Sequence, residues 1–136
     1  MGNYGFRTGE LLLVKYGDVV VHDETSDNPS ATVTIHAENT KVRKKREVTG
    51  KRGDVFIRRK EYSPFNGRDS YVFTHFKRNK VLTKDLLYGY YKELVKLVKQ
   101  KYSDFDDTKT LYSLRHFWIT LHLLIGKVDV YKIARY

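Results

Sequence analysis

The chain has 136 residues, a net charge of +10, eleven tyrosines and no cysteine. That length gives one domain able to bury roughly two-thirds of its unfolded surface, and the missing cysteines exclude a disulfide framework and a thiolate metal site. The five histidines show no His-x-x-x-His spacing, no apolar run approaches membrane-spanning length, and residues 11–14 are far too short for a signal-peptide core, so the chain is expected to be cytoplasmic, with neither metal, cofactor nor membrane partner.

In chain order, Thr8 is positioned to cap a short helix over residues 9–15 anchored by Leu11, Leu12 and Val14, with Glu10 in its first turn, where a carboxylate suits the helix dipole. Arg7 stands just before the cap, and on the residues alone it is an ion-pair partner for Glu10. Residues 17–22 read as a strand, residues 23–30 as a polar turn containing Pro29, and residues 31–36 as a second, β-branched and alternating strand. Residues 38–45 then form a hairpin into a third strand at 46–49. Residues 53–58 fit a short helix or a strand equally well. Residues 64–69 are loop and 70–74 a brief extended segment. Thr83 caps a helix from Lys84 to about Tyr102, whose buried face is expected to hold Leu87, Tyr90, Tyr91, Leu94, Val95, Val98 and Tyr102.

The last strong periodic signal lies at 111–126. Leu114, Phe117, Trp118, Leu121, Leu124 and Ile125 make one apolar stripe at a 3.6-residue period. Thr110 or Ser113 caps its start and Gly126 ends it. Arg115 and His116 sit in the first turn beside the stripe; read alone, such a triplet is surface charge flanking a core face. Asp129 is expected to cap a final helix with Val130, Ile133 and Ala134 inward. Charge is also localised. Lys41, Arg43, Lys44, Lys45, Arg46, Lys51, Arg52, Arg58, Arg59 and Lys60 oppose only Glu47 and Asp54, a net +8 in twenty residues. Charge so concentrated predicts a surface that faces nucleic acid, the bland reading being a solvated face.

Two separated stretches now combine. Gly5, Arg7, Glu10 and Leu11 fall in the order Gly-x-Arg-x-x-Glu-Leu. Leu114-Arg115-His116 is followed by a helix, Gly126 and the segment Asp129-Val-Tyr-Lys-Ile133. Together they resemble the paired arginine boxes of the tyrosine recombinases, the phage-integrase family. The resemblance implies an α+β fold, mainly helical, with a small three-stranded antiparallel sheet. It implies that residues 1–136 are part of a catalytic domain, without the amino-terminal DNA-clamping domain and the segment carrying the nucleophilic tyrosine. Family members cut and rejoin double-stranded DNA through a 3′-phosphotyrosine, with no metal or cofactor, and assemble as oligomers on DNA; the chain alone is expected to be monomeric.

By the same resemblance, Arg7 and Arg115 grip the non-bridging oxygens of the scissile phosphate. Lys41 protonates the leaving 5′-oxygen, with Lys44 as the alternative and Arg46 behind them. Tyr112 stands where the family has histidine; a phenol can bind a phosphate oxygen but is a poor base near neutrality. The family's Gly-His or Gly-Trp box is missing, so Tyr131 and Tyr136 read as packing or surface tyrosines, and cleavage by this chain alone is not expected. The ten cations of the block, less Lys41, and His116 are the expected DNA contacts. Two other readings stay open: a non-catalytic basic DNA-binding domain on the same scaffold, and an RNA-binding basic domain. The sharpest structural expectation is that Arg7 and Arg115, near opposite ends of the chain, converge on one anion-binding point with Glu10 screening them.

Overall fold

The structure, a computed structural model, describes residues 2–75 and 77–126. It is an α+β fold. Strands β1 (Val19–His22), β2 (Ser30–Ile35) and β3 (Arg46–Lys51) form an antiparallel sheet in the order β1-β2-β3. A second, two-stranded hairpin joins β4 (Thr74–His75) to β5 (Arg78–Val81). Among the described residues the helices are α1 (Thr8–Leu12), α2 (Asp54–Tyr62), α3 (Lys84–Lys101) and α4 (Leu111–Leu124). The expected helix capped by Asp129, with Val130, Ile133 and Ala134, and the tyrosines Tyr131 and Tyr136 lie outside the described residues.

Alternation builds the sheet. In β2, Ala31, Val33 and Ile35 are buried while Ser30, Thr32 and Thr34 face outward, as a period of two demands for a sheet covered on one side. The outer face is polar, with Thr32 hydroxyl to Thr49 hydroxyl at 2.8 Å and the His22 ring on Thr32 at 2.9 Å. The inner face packs with Tyr4, Phe6, Val14, Tyr16, Phe56 and Val72 into one core. β3 contributes Val48 to it.

Two local expectations change and one open reading is decided. The first helix is capped at Arg7 rather than Thr8 and stops at Leu12, because the backbone beyond it is recruited elsewhere: the Val72 amide donates to the Val14 carbonyl (2.9 Å), and the Tyr16 and Gly17 amides donate to Ser70 and Arg68 (3.0 and 2.8 Å). The ambiguous segment after Gly53 is helix α2, with Asp54 in its first turn and Phe56 in the core. The hairpin expected over 38–45 is instead a 3-10 turn (Ala37–Asn39) and a loop. Thr40 organises that loop, its hydroxyl donating to the Ala37 carbonyl and accepting from the Lys44 amide, both at 3.1 Å.

The two long helices correct the sequence reading more deeply. α3 forms over the expected span, with the Thr83 hydroxyl accepting the Leu86 amide at 3.3 Å, yet none of its residues is buried. Tyr90, Leu94 and Tyr102, expected inside, are all exposed, and Leu87, Tyr91, Val95 and Val98 are half-buried. On α4 the residues that dock are Leu111, Arg115 and Trp118; of the predicted stripe only Trp118 is buried and Leu121 half-buried, while Leu114, Phe117, Leu124 and Ile125 are exposed. α4 is apolar over most of its circumference, so periodicity found a real stripe but not the side that packs. The docking side is chosen by Gly5. That glycine has φ +64°, and a Cβ there would stand 2.6 Å from the Trp118 indole. Thr110, not Ser113, is the cap of α4; its amide donates to the Ser113 hydroxyl at 3.1 Å.

Two outcomes follow. Gly5→Ala combines a left-handed backbone with a clash against Trp118, and its expected cost is about 2–5 kcal/mol by urea unfolding. Tyr4, buried in the core and beside Asp54, has its phenol pushed up from 10.0 to about 12, chiefly by burial. A folded-state pKa above the unfolded one means that the stability is fully present below pH 10 and is lost as pH rises toward 12. The loss attributable to Tyr4 is about 2–3 kcal/mol. The Tyr4→Phe variant should show a correspondingly shallower fall in denaturant midpoint over that range.

Candidate active site

The site grows from the start of α1. Arg7 occupies the cap position with extended backbone (φ −73°, ψ 148°), and its amide donates to Glu10 Oε2 at 2.8 Å. Its guanidinium Nη1 donates to Oε1 of the same carboxylate at 2.8 Å. Glu10 is 2% exposed, so it is a buried anion that needs more than one partner. The second comes from the sheet. Arg46 lies on the inward face of β3 with Val48, and its Nη2 donates to Glu10 Oε2 at 2.7 Å. Burial pushes the Arg46 pKa below the ordinary arginine value, Glu10 pulls it back up, and Arg7 and Arg115 push it down again.

Arg115 enters from the far end of the chain. The packing of Leu111 and Trp118 turns it inward, and its Nη1 donates to the Gly5 carbonyl. It is held below the ordinary arginine range, first by burial and then by Arg7; Glu10 and Tyr112 act in the opposite sense. Three guanidiniums therefore share the field of one carboxylate, leaving local positive charge in excess. Burying like charges together is costly without a further anion. That is the electrostatic condition for a phosphate seat: fixed cations, with planar forks matched to oxyanion geometry.

Arg7 and Glu10 open onto a cleft of about 670 Å³ that Lys41, Lys84, Tyr88 and Tyr112 also line, over an apolar floor that includes Leu12, Leu13 and Leu82. Sequence-expected Arg7, Lys41 and Tyr112 thus share one cleft; Arg115 is not among its lining residues, but three of them, Arg7, Glu10 and Tyr112, act on it electrostatically. The exposed His116 ring stands edge-on to Tyr112 at 4.7 Å. Lys84 and Tyr88 were missed from sequence. The β4–β5 hairpin leads directly into the start of α3 at this wall, and that hairpin gives a weak sequence signal.

The basic block does not form one surface. Arg43, Lys44 and Lys45 are exposed on the same loop as Lys41. Lys45 also lines a neighbouring polar cleft of about 610 Å³ with Lys15, Arg68 and the His36–Asp18 pair (2.7 Å). Lys51 and Arg52 lie at the other end of β3, roughly 17 Å away by strand rise. Arg52 forks onto Asp54 (2.9 and 3.1 Å), and Arg58 reaches the same carboxylate at 2.7 Å. Arg46 is turned onto Glu10, and the half-buried Arg59 donates to the Val72 and Thr74 carbonyls (3.1 and 3.3 Å). These two are packed against the protein rather than presented to solvent, contrary to the reading of the block as a single facing surface. Lys60 is exposed on the last turn of α2. Among the described residues no group of three or more His, Cys, Asp or Glu side chains is placed to hold a metal ion, and no helix is long and apolar enough to cross a membrane.

The arginine cluster should respond to a tetrahedral anion. Sulfate at ten times its measured Kd should stabilise the domain by about 1.4 kcal/mol, a rise of roughly 4–7 °C in Tm. Arg7→Ala should remove this increment at the same sulfate concentration, which separates binding from the general salting effect of sulfate.

No family model, no curated protein and no solved structure matches the chain.

Proposed function

We propose that the chain is part of a DNA strand-transfer catalytic domain of the tyrosine-recombinase type, supplying the grip on the scissile phosphate and the proton for the leaving oxygen. The observation that carries this reading is the cleft that Arg7, Lys41 and Tyr112 line together, with Arg115, from the other end of the described chain, bound to the Gly5 carbonyl two residues from Arg7. In the transition state of phosphoryl transfer, negative charge gathers on the non-bridging oxygens. Guanidiniums fixed before the reaction stabilise that charge without reorganisation at the moment of transfer. Arg7 and Arg115 have this part. Lys41, exposed on the loop that Thr40 organises and lining the same cleft as Arg7, is the general acid for the 5′-oxygen in this reading, with Lys44 on the same loop as the alternative. Tyr112 takes the place of a histidine and acts as a hydrogen-bond donor to phosphate. No nucleophile is assigned to the described residues.

The substrate in this reading is duplex DNA, approached across the Lys41–Lys45 loop. Arg7 and Lys41 line the cleft and Arg43, Lys44 and Lys45 are exposed on the same loop as Lys41, five cations in all. If each neutralises one phosphate, log affinity falls against log salt with a slope of roughly −4 to −5. The test is fluorescence anisotropy on a labelled duplex over a salt series. Replacing Lys44 and Lys45 together by alanine should flatten the slope by about 2 and weaken binding on all sequences alike. Salt-independent affinity, or clear preference for RNA of the same sequence, would contradict the proposal.

A further inference from the structure

A carboxylate facing a single arginine closes on it as a two-point fork, which engages both oxygens and two of the guanidinium's donors. Glu10 does not do this with Arg7. Only Oε1 takes the Arg7 side chain, at 2.8 Å; Oε2 is occupied by Arg46 Nη2 at 2.7 Å and by the Arg7 amide at 2.8 Å. Arg7 Nε and Nη2 therefore have no protein partner among the described residues, and the side chain is 34% exposed toward the cleft. Arg46 is 12% exposed and Glu10 2%, so this geometry is enclosed and not exchanged freely with solvent.

We propose that Arg46 is a positioning residue for the anion site: by holding Glu10 Oε2 it prevents Glu10 from closing as a fork on Arg7, and so keeps the outward donors of Arg7 available to phosphate. This deepens the preceding section and rests on its assignment of Arg7 to phosphate. The register of the sheet makes it possible. Arg46 opens β3 opposite Ile35, and the alternation that buries Val48 turns Arg46 to the same inner side. Because Arg46 directly follows the Lys41–Lys45 loop, the same ion pair anchors the loop's end to the start of α1. The sequence stretch that reads as a row of DNA contacts thus contains one arginine that works from behind the site.

The test compares Arg46→Gln, Arg46→Lys and the double variant Glu10→Gln/Arg46→Gln in the full chain, with Tm recorded for each. A labelled 20-base-pair duplex at low salt is the probe. Arg46→Gln should weaken binding about tenfold, because the released Glu10 captures Arg7. Arg46→Lys, which keeps a cation on Oε2, should recover to within about threefold of wild type. The double variant, which removes the capturing carboxylate, should recover similarly although it lacks the Arg46 charge. If Arg46 touched DNA directly, the double variant would stay as weak as the single one, and the proposal would fall. Side-chain NMR of arginine-labelled, DNA-free protein provides the second arm. The Arg7 Nε–H resonance should move in Arg46→Gln and return in the double variant. An unmoved resonance overturns the positioning role even if DNA binds. Absence of wild-type DNA binding overturns the functional reading while the NMR arm still decides the role of Arg46.

Discussion

A buried carboxylate gripped by two guanidiniums ties together every element it touches. Glu10 does this for the start of α1, which carries Arg7, and for the start of β3, which carries Arg46. Removing one partner from such a pair typically costs about 3–5 kcal/mol, because the remaining charge is left buried and uncompensated. The site is therefore not an addition to a finished fold. The join between the amino-terminal segment and the sheet passes through it, and the surplus of positive charge is a consequence of how that join is made.

The last described helix is attached through the same amino-terminal segment. α4 reaches the domain through Trp118 against the bare Cα of Gly5, and through Arg115 donating to the Gly5 carbonyl. Gly5 and Arg7 are two residues apart, so the contact that docks the helix also delivers Arg115 to the neighbourhood of Arg7. Packing and charge placement are one arrangement here. Meanwhile α3 and the outer side of α4 expose Leu94, Leu97, Phe117 and Leu124. The core of the described structure is formed by the sheet, the amino-terminal segment, α2 and Val72.

Much of this was legible in sequence where a single physical rule governed. The β-branched alternation of β2 announced its inner face, and Thr83 marked the start of α3. The spacing of Arg7 to Glu10 predicted the ion pair that forms at 2.8 Å. The two arginine boxes led to the expectation that Arg7 and Arg115 converge; the structure brings Arg115 to the Gly5 carbonyl, two residues from Arg7. Other features depended on tertiary choices that local pattern does not encode. The covered side of α4 was decided by a glycine more than a hundred residues away. The β4–β5 hairpin is too short to register in periodicity, so Lys84 and Tyr88 could not be placed in the cleft. The basic block read as one surface because sequence neighbours were treated as spatial neighbours. A strand separates its two ends, and strand alternation turns Arg46 inward.

The central claim is that Arg7 and Arg115 serve one anion. Titrating inorganic sulfate into arginine-labelled protein and following both Nε–H resonances tests it most directly. The account predicts that the two resonances shift together and fit a single Kd, with Arg7→Ala abolishing the response at Arg115. Separate dissociation constants, or an Arg115 resonance indifferent to sulfate while Arg7 responds, would contradict it and leave Arg115 as a purely structural anchor for α4.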